Sequence, residues 1–325
     1  MEEQNKEQQH NIEHKKVEPK KNIKQILLEF YDKKYKQLLI IPFLILFFSL
    51  AQIGYQVYKT GDFIKKDVSL KGGVTITIPY DKDVDTKQLE KLISSKFQEN
   101  EVIVRTLSSA GAVAGIIVQA DIDGNDNAKV KSLLHSIETS LKINLSEVNY
   151  GIETIGSSLG ASFFRASLRA LILAFILMGL VVFIYFRTFV PSLAVVIAAF
   201  SDMAFALAVV NILGVRVGTA GIAAFLMVIG YSVDTDILLT VRVLKRKEGT
   251  VMDRIISSIK TGMTETITAM VAVIVAMTVT HSDVIRQIML ILLIGLIADI
   301  FNTWIQNVGL LRMYVERKAK KGINI

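Results

Sequence analysis

From Arg169 onwards the sequence is almost continuously apolar, with only short polar turns between the apolar blocks. This feature constrains the fold most, because about 20 apolar residues span the ~30 Å hydrocarbon core of a bilayer as a helix. The blocks predict five spans, at about 168–186, 190–211, 217–239, 261–280 and 286–310. An earlier block, from about Leu38 to Val57, predicts another span, and its Pro42 is tolerable near a helix start. The chain is therefore predicted to be a polytopic α-helical membrane protein with about six spans.

The N-terminal region begins with a polar tail. Residues 1–22 contain almost nothing to bury, which is typical of a disordered tail. In residues 23–36 apolar side chains recur at helical spacing among lysines, which predicts an amphipathic helix on the membrane surface. The other predicted units are a first span at 37–57, a soluble domain at 58–163, a bundle of five spans at 164–311 and a basic tail at 312–325.

The soluble segment alternates strand-like and helix-like patterns. VTITI (74–78) reads as a strand and DTKQLEKLISSKF (85–97) as an amphipathic helix. VIVRTL and GIIVQA then predict a strand pair, NAKVKSLLHSIETSL a second helix, and VNYGIETI a last strand. This βαββαβ order predicts an α+β ferredoxin-like domain with two helices on one face of an antiparallel sheet.

The net charge of +7 raises the question of a nucleic-acid partner. The basic residues lie beside apolar blocks, which indicates membrane topology and no nucleic-acid binding. Most of them fall on one side of the bilayer if both termini are cytoplasmic, with Arg216, Arg286, Arg165 and Arg169 as exceptions. The chain is thus predicted to be a multi-pass protein of the cytoplasmic (cell) membrane, with residues 58–163 outside the cytoplasm.

The sequence lacks the residues that several kinds of chemistry require. The sequence has no cysteine, and its four histidines are scattered without metal-ligand spacing, so no metal site is predicted. It has no GxxxxGK[ST] motif for an adenine nucleotide. No nucleophile–base pair is apparent, so neither enzymatic activity nor a cofactor is expected.

Polar residues occur deep in the predicted spans. Asp202 lies about 12 residues into the third span, roughly 18 Å deep at 1.5 Å per residue. Asp299 is similarly central in the sixth span, and Asn302 and Gln306 follow it on the same helical face. Such a stripe must face other helices or a water-filled cavity, because lipid would leave it unsatisfied. Each Asp alone could instead be a structural hydrogen-bonding group between helices, worth ~0.6–2 kcal/mol.

Two further carboxylates lie in VIGYSVDTDILLT (228–240). Asp234 and Asp236 are about 200° apart on a helix, so at most one is expected to face a given site. As a pair near the cytoplasmic end of the fourth span, they could also be solvated, and Arg242 could be a positive-inside anchor alone. Glu265 is assigned to the cytoplasmic interface. Acids on three spans together indicate a proton-responsive membrane machine with an external domain.

The residues from about 35 to 316 resemble the SecF proteins of the SecD/SecF protein-export family, in the RND superfamily. GYSVDTDILLTVRV, with Gly230, Tyr231 and Ser232, is similar to the family's fourth-span motif. FSDMAF occupies the place of its third-span His-Asp-Val, and the distance from Asp202 to Tyr231 fits. IGSSLGASF (155–163) and SLKGGV (69–74) are similar to the runs beside its external domain.

Five positions depart from the family pattern, and they suggest its archaeal branch. Ser69 and Ser157 stand where the family commonly has Asp and Pro, and Asp234 replaces Asn. Thr235 and Val241 each stand where an Asp is usual.

The resemblance implies site residues and partners. Asp202 and Arg242 match the motifs and are implied members of an ion-conducting network. Asp234 and Asp236 are candidates because they lie beside the fourth-span motif. Asp299 is a candidate because of its depth in the sixth span. The implied partners are SecD, the SecY channel, translocating polypeptide and membrane lipid, with export driven by the proton motive force.

Three alternatives remain. An RND exporter of small molecules or lipids usually has about twelve spans and two large external domains in one chain. SecD itself typically has a larger external region and a different fourth-span motif. A membrane scaffold whose external domain binds partners would need only structural spans, and the acids on three spans argue against it.

Overall fold

The computed structural model describes residues 23–82, 84–97, 100–109, 112–145, 148–246, 248–280 and 282–322. The predicted tail at 1–22 lies outside these ranges. In chain order the elements are α1 (Ile23–Leu38), α2 (Ile40–Thr60), α3 (Val68–Lys71), β1 (Gly73–Pro79), α4 (Thr86–Ser94), β2 (Val102–Ser109), β3 (Ala112–Ala120), α5 (Asn127–Leu141), β4 (Gly151–Ile155), α6 (Ser157–Phe186), α7 (Phe189–Ile212), α8 (Thr219–Lys245), α9 (Val251–Val279), α10 (Asp283–Phe301), a π-helical segment (Asn302–Asn307) and α11 (Val308–Lys320).

Within the described ranges, six helices are long and apolar enough to cross a membrane: α2, α6, α7, α8, α9 and the continuous helix from α10 through the π segment to α11. The prediction of six spans is therefore confirmed. The helices outrun the predicted spans, because they continue into polar sequence beyond the apolar blocks. For α9, the early start is explained by a capping box in which Thr250 and Asp253 satisfy each other's backbone N–H groups.

The basic C-terminal segment also differs from its prediction. Residues up to Lys320 form α11 and not a tail. Arg312 anchors this helix to α1: its guanidinium lies 2.6 Å from a carboxylate oxygen of Asp32 and 4.1 Å from the ring centroid of Tyr35. A cation that is held by an acid and an aromatic face can be buried without leaving its charge unpaired.

The soluble domain has the predicted βαββαβ order. Its four strands are ordered β2-β3-β1-β4 and every neighbouring pair is antiparallel. Alternate residues of the strands, such as Ile76, Val104 and Val118, are buried in one core with Leu89 of α4 and Leu133 of α5. This arrangement follows from the period-two apolar pattern of the strands and the helical stripes of α4 and α5.

The soluble domain is tied to the loop between α7 and α8. The backbone of Val217 bonds to Asp67 and Lys65, at 3.1 and 2.7 Å, which makes a short parallel bridge. The guanidinium of Arg216 lies 2.6 Å from a carboxylate oxygen of Glu101, at the start of β2. The two contacts couple the domain to the ends of two spans.

The spans differ sharply in burial. About 56% of the residues in the apolar 18-residue stretch of α7 are buried inside the molecule, against 6% for the corresponding stretch of α6 and 17% for that of α2. The bundle therefore has a centre made by α7, α8 and α10, while α2 and α6 lie on its periphery.

Candidate ion-conducting site

Three carboxyl groups meet in the centre of the bundle. Asp202 belongs to α7, Asp236 to α8 and Asp299 to α10, and their exposed fractions are 0%, 0% and 2%. Among the residues that the structure describes, no Lys, Arg or His forms an ion pair with any of them. Ionised carboxylates buried together without a cation are unfavourable, because each lacks solvation and repels the others.

Asp202 receives one donor on each oxygen. The Ser232 hydroxyl of α8 donates to Oδ2 at 2.5 Å, and the Asn302 amide donates to Oδ1 at 2.7 Å. One carboxyl group thus links α7 to α8 and to the π segment.

Asp236 and Asp299 share the hydroxyl of Thr303. Thr303 Oγ1 lies 2.9 Å from Asp236 Oδ1 and 2.7 Å from Asp299 Oδ1. A threonine hydroxyl has a single proton, so it donates to one of these oxygens only. The second contact is a hydrogen bond only if that carboxyl group carries a proton and donates it to Oγ1. The geometry therefore fits a pair of carboxyl groups that holds at least one proton.

Several buried oxygens around the acids find no donor among the described residues. They are Asp236 Oδ2, Asp299 Oδ2, Asn302 Oδ1, Gln306 Oε1 and Asn307 Oδ1. Buried polar atoms in proteins are nearly always paired. A set of acceptors that lacks protein donors is suited to a proton or another small cation. Within the described ranges, no group of three or more His, Cys, Asp or Glu side chains is arranged to hold a metal ion.

The π segment brings extra polar side chains to this centre. The wide π turn gathers four polar side chains, all of them buried, on one side of the helix: Asn302, Thr303, Gln306 and Asn307. Asn307 donates to Asp236 Oδ1 at 2.7 Å, and Gln306 contacts the hydroxyl of Ser201 at 3.3 Å. Single π turns inside α-helices frequently occur at functional sites.

Neighbouring elements hold the π segment in place. The Tyr31 hydroxyl of α1 donates to the carbonyl oxygen of Trp304. Gly262 of α9 lies against the Trp304 ring so closely that a Cβ there would be 2.4 Å from ring atom Cζ2. A glycine is therefore required at this helix crossing.

The predicted motif around residue 230 divides between two faces of α8. Ser232 and Asp236 face the buried centre, whereas Gly230, Tyr231 and Asp234 are exposed. Of the two acids, the structure turns Asp236 towards the buried centre and Asp234 away from it. Their position differs from the prediction, because α8 continues to Lys245 and Asp234 is the sixteenth of its 27 residues.

Arg242 lies apart from the carboxyl groups. Its guanidinium donates to the carbonyl and hydroxyl oxygens of Ser257, at 2.7 and 3.3 Å, and to the hydroxyl of Thr261 at 2.9 Å. These contacts join α8 to α9 at one end of the bundle. In this conformation the structure does not bring Arg242 to the acids.

Sequence similarity identifies the family. Residues 135–317 match the model of the family "Protein export membrane protein SecD/SecF, C-terminal". The protein-export membrane protein SecF of Methanocaldococcus jannaschii is 36% identical over 297 residues, covering 89% of this chain and 99% of the relative. The SecF of Pyrococcus furiosus is 36% identical over 299 residues, covering 92% and 97%. The chain belongs to the SecF family.

A solved structure agrees with this fold. The SecF-family chain superimposes on SecDF from Thermus thermophilus, a translocon-associated membrane protein, with a TM-score of 0.66 at 16% identity. The match covers 94% of this chain and 40% of the SecDF chain. A super-membrane-facing form of SecDF gives a TM-score of 0.57 at 18% identity. At these identities the likeness shows the fold alone.

Sequence reasoning missed four members of the site in this SecF-family protein: Ser201, Thr266, Thr303 and Asn307. All four are buried, and Thr266 of α9 lies near Asp299. The run NTWIQN offered a signal, because four of its six residues are polar within a membrane span. Helical spacing also places Thr303, at i+4 from Asp299, on the face of that acid, so the sequence held this signal.

Proposed function

We propose that this chain is the SecF-type subunit of a two-part membrane complex that uses ion movement to assist polypeptide export. Its relatives of known name are protein-export membrane proteins, and they match over nearly their whole length. The proposed partner is a SecD-type protein, and the pair acts beside a SecY-type channel on translocating polypeptide.

The observation that carries the ion-coupling proposal is the buried, cation-free group of Asp202, Asp236 and Asp299. A structural core would gain nothing from three such acids, since a charge at bilayer depth costs ~2.5–3.5 kcal/mol on insertion scales. Proton relays in membrane proteins are built from groups of this kind. Thr303 links Asp236 to Asp299. Ser232 of α8 and Asn302 of the π segment hold Asp202 in the same centre.

Basic residues support the proposed orientation. Arg187 follows α6, Lys245 ends α8, and α11 carries Arg317, Lys318 and Lys320 in its last turn. These positions share the membrane side opposite to the soluble domain. The positive-inside rule makes that side cytoplasmic, so both termini are cytoplasmic and the ferredoxin-like domain is extracytoplasmic.

An exposed polar groove supports the requirement for a partner. The groove lies between α8 and α9, has a volume of ≈ 440 Å³, and contains Tyr231, Asp234 and Glu265. Glu265, which the sequence assigned to the cytoplasmic interface, is the fifteenth of the 29 residues of α9 and is exposed. Carboxyl groups exposed at mid-helix would be unsatisfied in lipid, so this face suits a polar protein surface.

Cross-linking from the groove tests the proposed complex. Because the chain has no cysteine, Ile237→Cys on the full-length protein introduces a single reactive group in the groove. We expect it to cross-link to a co-purifying SecD-type protein in native membranes. Ile274→Cys is the control, since Ile274 is exposed and lies on the opposite face of α9 from Glu265. Equal cross-linking from both positions, or no SecD-type protein, would contradict the proposal.

A further inference from the structure

A second cavity lies at the periphery of the bundle, apart from the carboxyl groups. It has a volume of ≈ 530 Å³ and lies between α2, α6, α7 and α8. Every residue that lines it is apolar, including Phe63, Leu171, Phe175, Phe200 and Met203. A cavity without polar groups cannot relay protons, so the proposed ion movement does not explain it.

The dimensions of the cavity match one lipid tail. On α6 its lining extends from Phe164 to Ile176, which is about 18 Å at 1.5 Å per residue. One leaflet of a bilayer is about 15 Å deep, half of the ~30 Å hydrocarbon core. Apolar cavities exclude water and bind apolar molecules, so hydrocarbon is the filling that this lining favours.

The end of the cavity near the soluble domain is flanked by cations. The rings of Phe63 and Phe164 meet there with centroids 5.7 Å apart, and Lys66 Nζ lies 4.6 Å from the Phe164 centroid. Lys66 also pairs with Asp62 at 2.8 Å. The cationic end is complementary to a phosphate headgroup at the bilayer surface.

Two arginines of α6 lie near this end, Arg165 beside Phe164 and Arg169 about one turn further along the cavity. Arg165 and Arg169 lie on the same helical row as Ile172 and Ile176, which line the cavity. Both are exposed. Among the described residues, their side chains hydrogen bond only to carbonyl oxygens of their own helix. Both guanidinium groups therefore keep donors for an anion.

We propose that this cavity binds one hydrocarbon chain of an anionic membrane lipid, with the headgroup phosphate held by Arg165 and Arg169. The lipid fills the cleft that α2 and α6 leave over α7. The site is independent of the carboxyl network and of the partner groove.

Lipid retention tests the tail site. The full-length protein is reconstituted in bilayers of phosphatidylcholine and phosphatidylglycerol, extracted in mild detergent and weighed by native mass spectrometry. Ala204→Phe and, from the opposite wall, Leu168→Trp fill the cavity, and we expect each to lose the lipid that the wild type retains. Leu193→Phe is the control, because it is exposed on α7 outside the cavity. Equal lipid retention by all four proteins would overturn the proposal.

Headgroup preference tests the contacts of the two arginines, and cross-linking tests whether the bound molecule is a lipid. Arg165→Gln with Arg169→Gln is expected to abolish the preference for phosphatidylglycerol over phosphatidylcholine. Arg187→Gln, at the other end of α6, is expected to preserve it. A benzophenone side chain at Ile172 is expected to form lipid adducts in native membranes. Protein adducts alone, or no preference for phosphatidylglycerol in the wild type, would contradict the lipid assignment.

Discussion

At the scale of single residues, the site depends on side chains that satisfy two acids at once. Thr303 is the clearest case, because its hydroxyl contacts Asp236 and Asp299. Removing one partner of a buried hydrogen bond leaves the other unsatisfied, which typically costs ~1–3 kcal/mol. The stability that Thr303 contributes is therefore expected to depend on its hydroxyl group and not on the shape of its side chain.

Thr303→Val is expected to destabilise the protein by ~1–3 kcal/mol, because valine keeps the shape and loses the hydroxyl. Thr303→Ser retains the hydroxyl and is expected to lie much closer to the wild type. Thermal unfolding of the purified proteins in one detergent measures both. Equal unfolding midpoints for the serine and valine variants would show that the hydroxyl does not hold the two acids.

Sequence reasoning located the acids but not their surroundings. Depth in an apolar block was enough to find Asp202 and Asp299, because that inference needs only residue counts. The contacts of Arg242 to Ser257 and Thr261 depend on how α8 and α9 pack, which no pattern within one helix contains. Asp234 and Asp236 were separable by their angle on the helix, and the structure divides them as that angle requires.

At the scale of elements, the π segment is the feature that the sequence did not predict. Helical periodicity assumes 3.6 residues per turn, so an added residue shifts every later side chain. Whether the added residue is tolerated is decided by neighbours such as Gly262 and Tyr31, which are remote in sequence. The βαββαβ domain was predictable because each of its elements has a local pattern.

Gly262→Ala is expected to destabilise the π segment by ~1–3 kcal/mol, because its Cβ would overlap the Trp304 ring. Trp304 is the only tryptophan, so its fluorescence reports the displacement directly. Gly230→Ala is the matched control: its Cβ meets nothing within 4 Å, and alanine should stabilise the helix by ~0.5–1 kcal/mol. An unchanged emission and stability for Gly262→Ala would refute the packing argument.

The docking of α1 onto α11 should depend on alkaline pH. Burial, and after it the carboxylate of Glu316, raise the pKa of Tyr35 from 10.0 to about 12, against an opposing effect of Arg312. Between these values the unfolded chain loses this proton and the folded protein keeps it. Stability from this group is therefore complete below pH 10 and is lost as the pH rises towards 12.

Melting temperatures between pH 9 and 12 measure this dependence. Tyr35→Phe is expected to lower the alkaline slope, whereas Tyr58→Phe, which is 90% exposed, should leave it unchanged. Identical slopes for the wild type and Tyr35→Phe would argue against a buried phenol at this contact.

At the scale of the whole molecule, the chain has the fold of one part of a longer membrane protein. It matches 40% of the length of the SecDF chain. The sequence predicted six spans and an external domain because both follow from hydropathy. The groove between α8 and α9 was not predictable, since the exposure of Glu265 emerges only when these two helices are packed together.

The central claim is that ions move through the carboxyl network to assist export. Its most direct test is export of a preprotein into inverted membrane vesicles that contain Asp202→Asn, with an imposed proton or sodium gradient. Asparagine preserves the shape of the side chain and can still accept from Asn302, while its amide nitrogen can donate to the Ser232 hydroxyl, but it cannot exchange a carboxyl proton. Asp123→Asn, in an exposed loop of the soluble domain, is the control for the same chemical change.

We predict that Asp202→Asn abolishes the gradient-dependent part of export, while complex assembly and gradient-independent export equal those of the wild type and of Asp123→Asn. Full stimulation of the Asp202→Asn vesicles by either gradient would contradict the account.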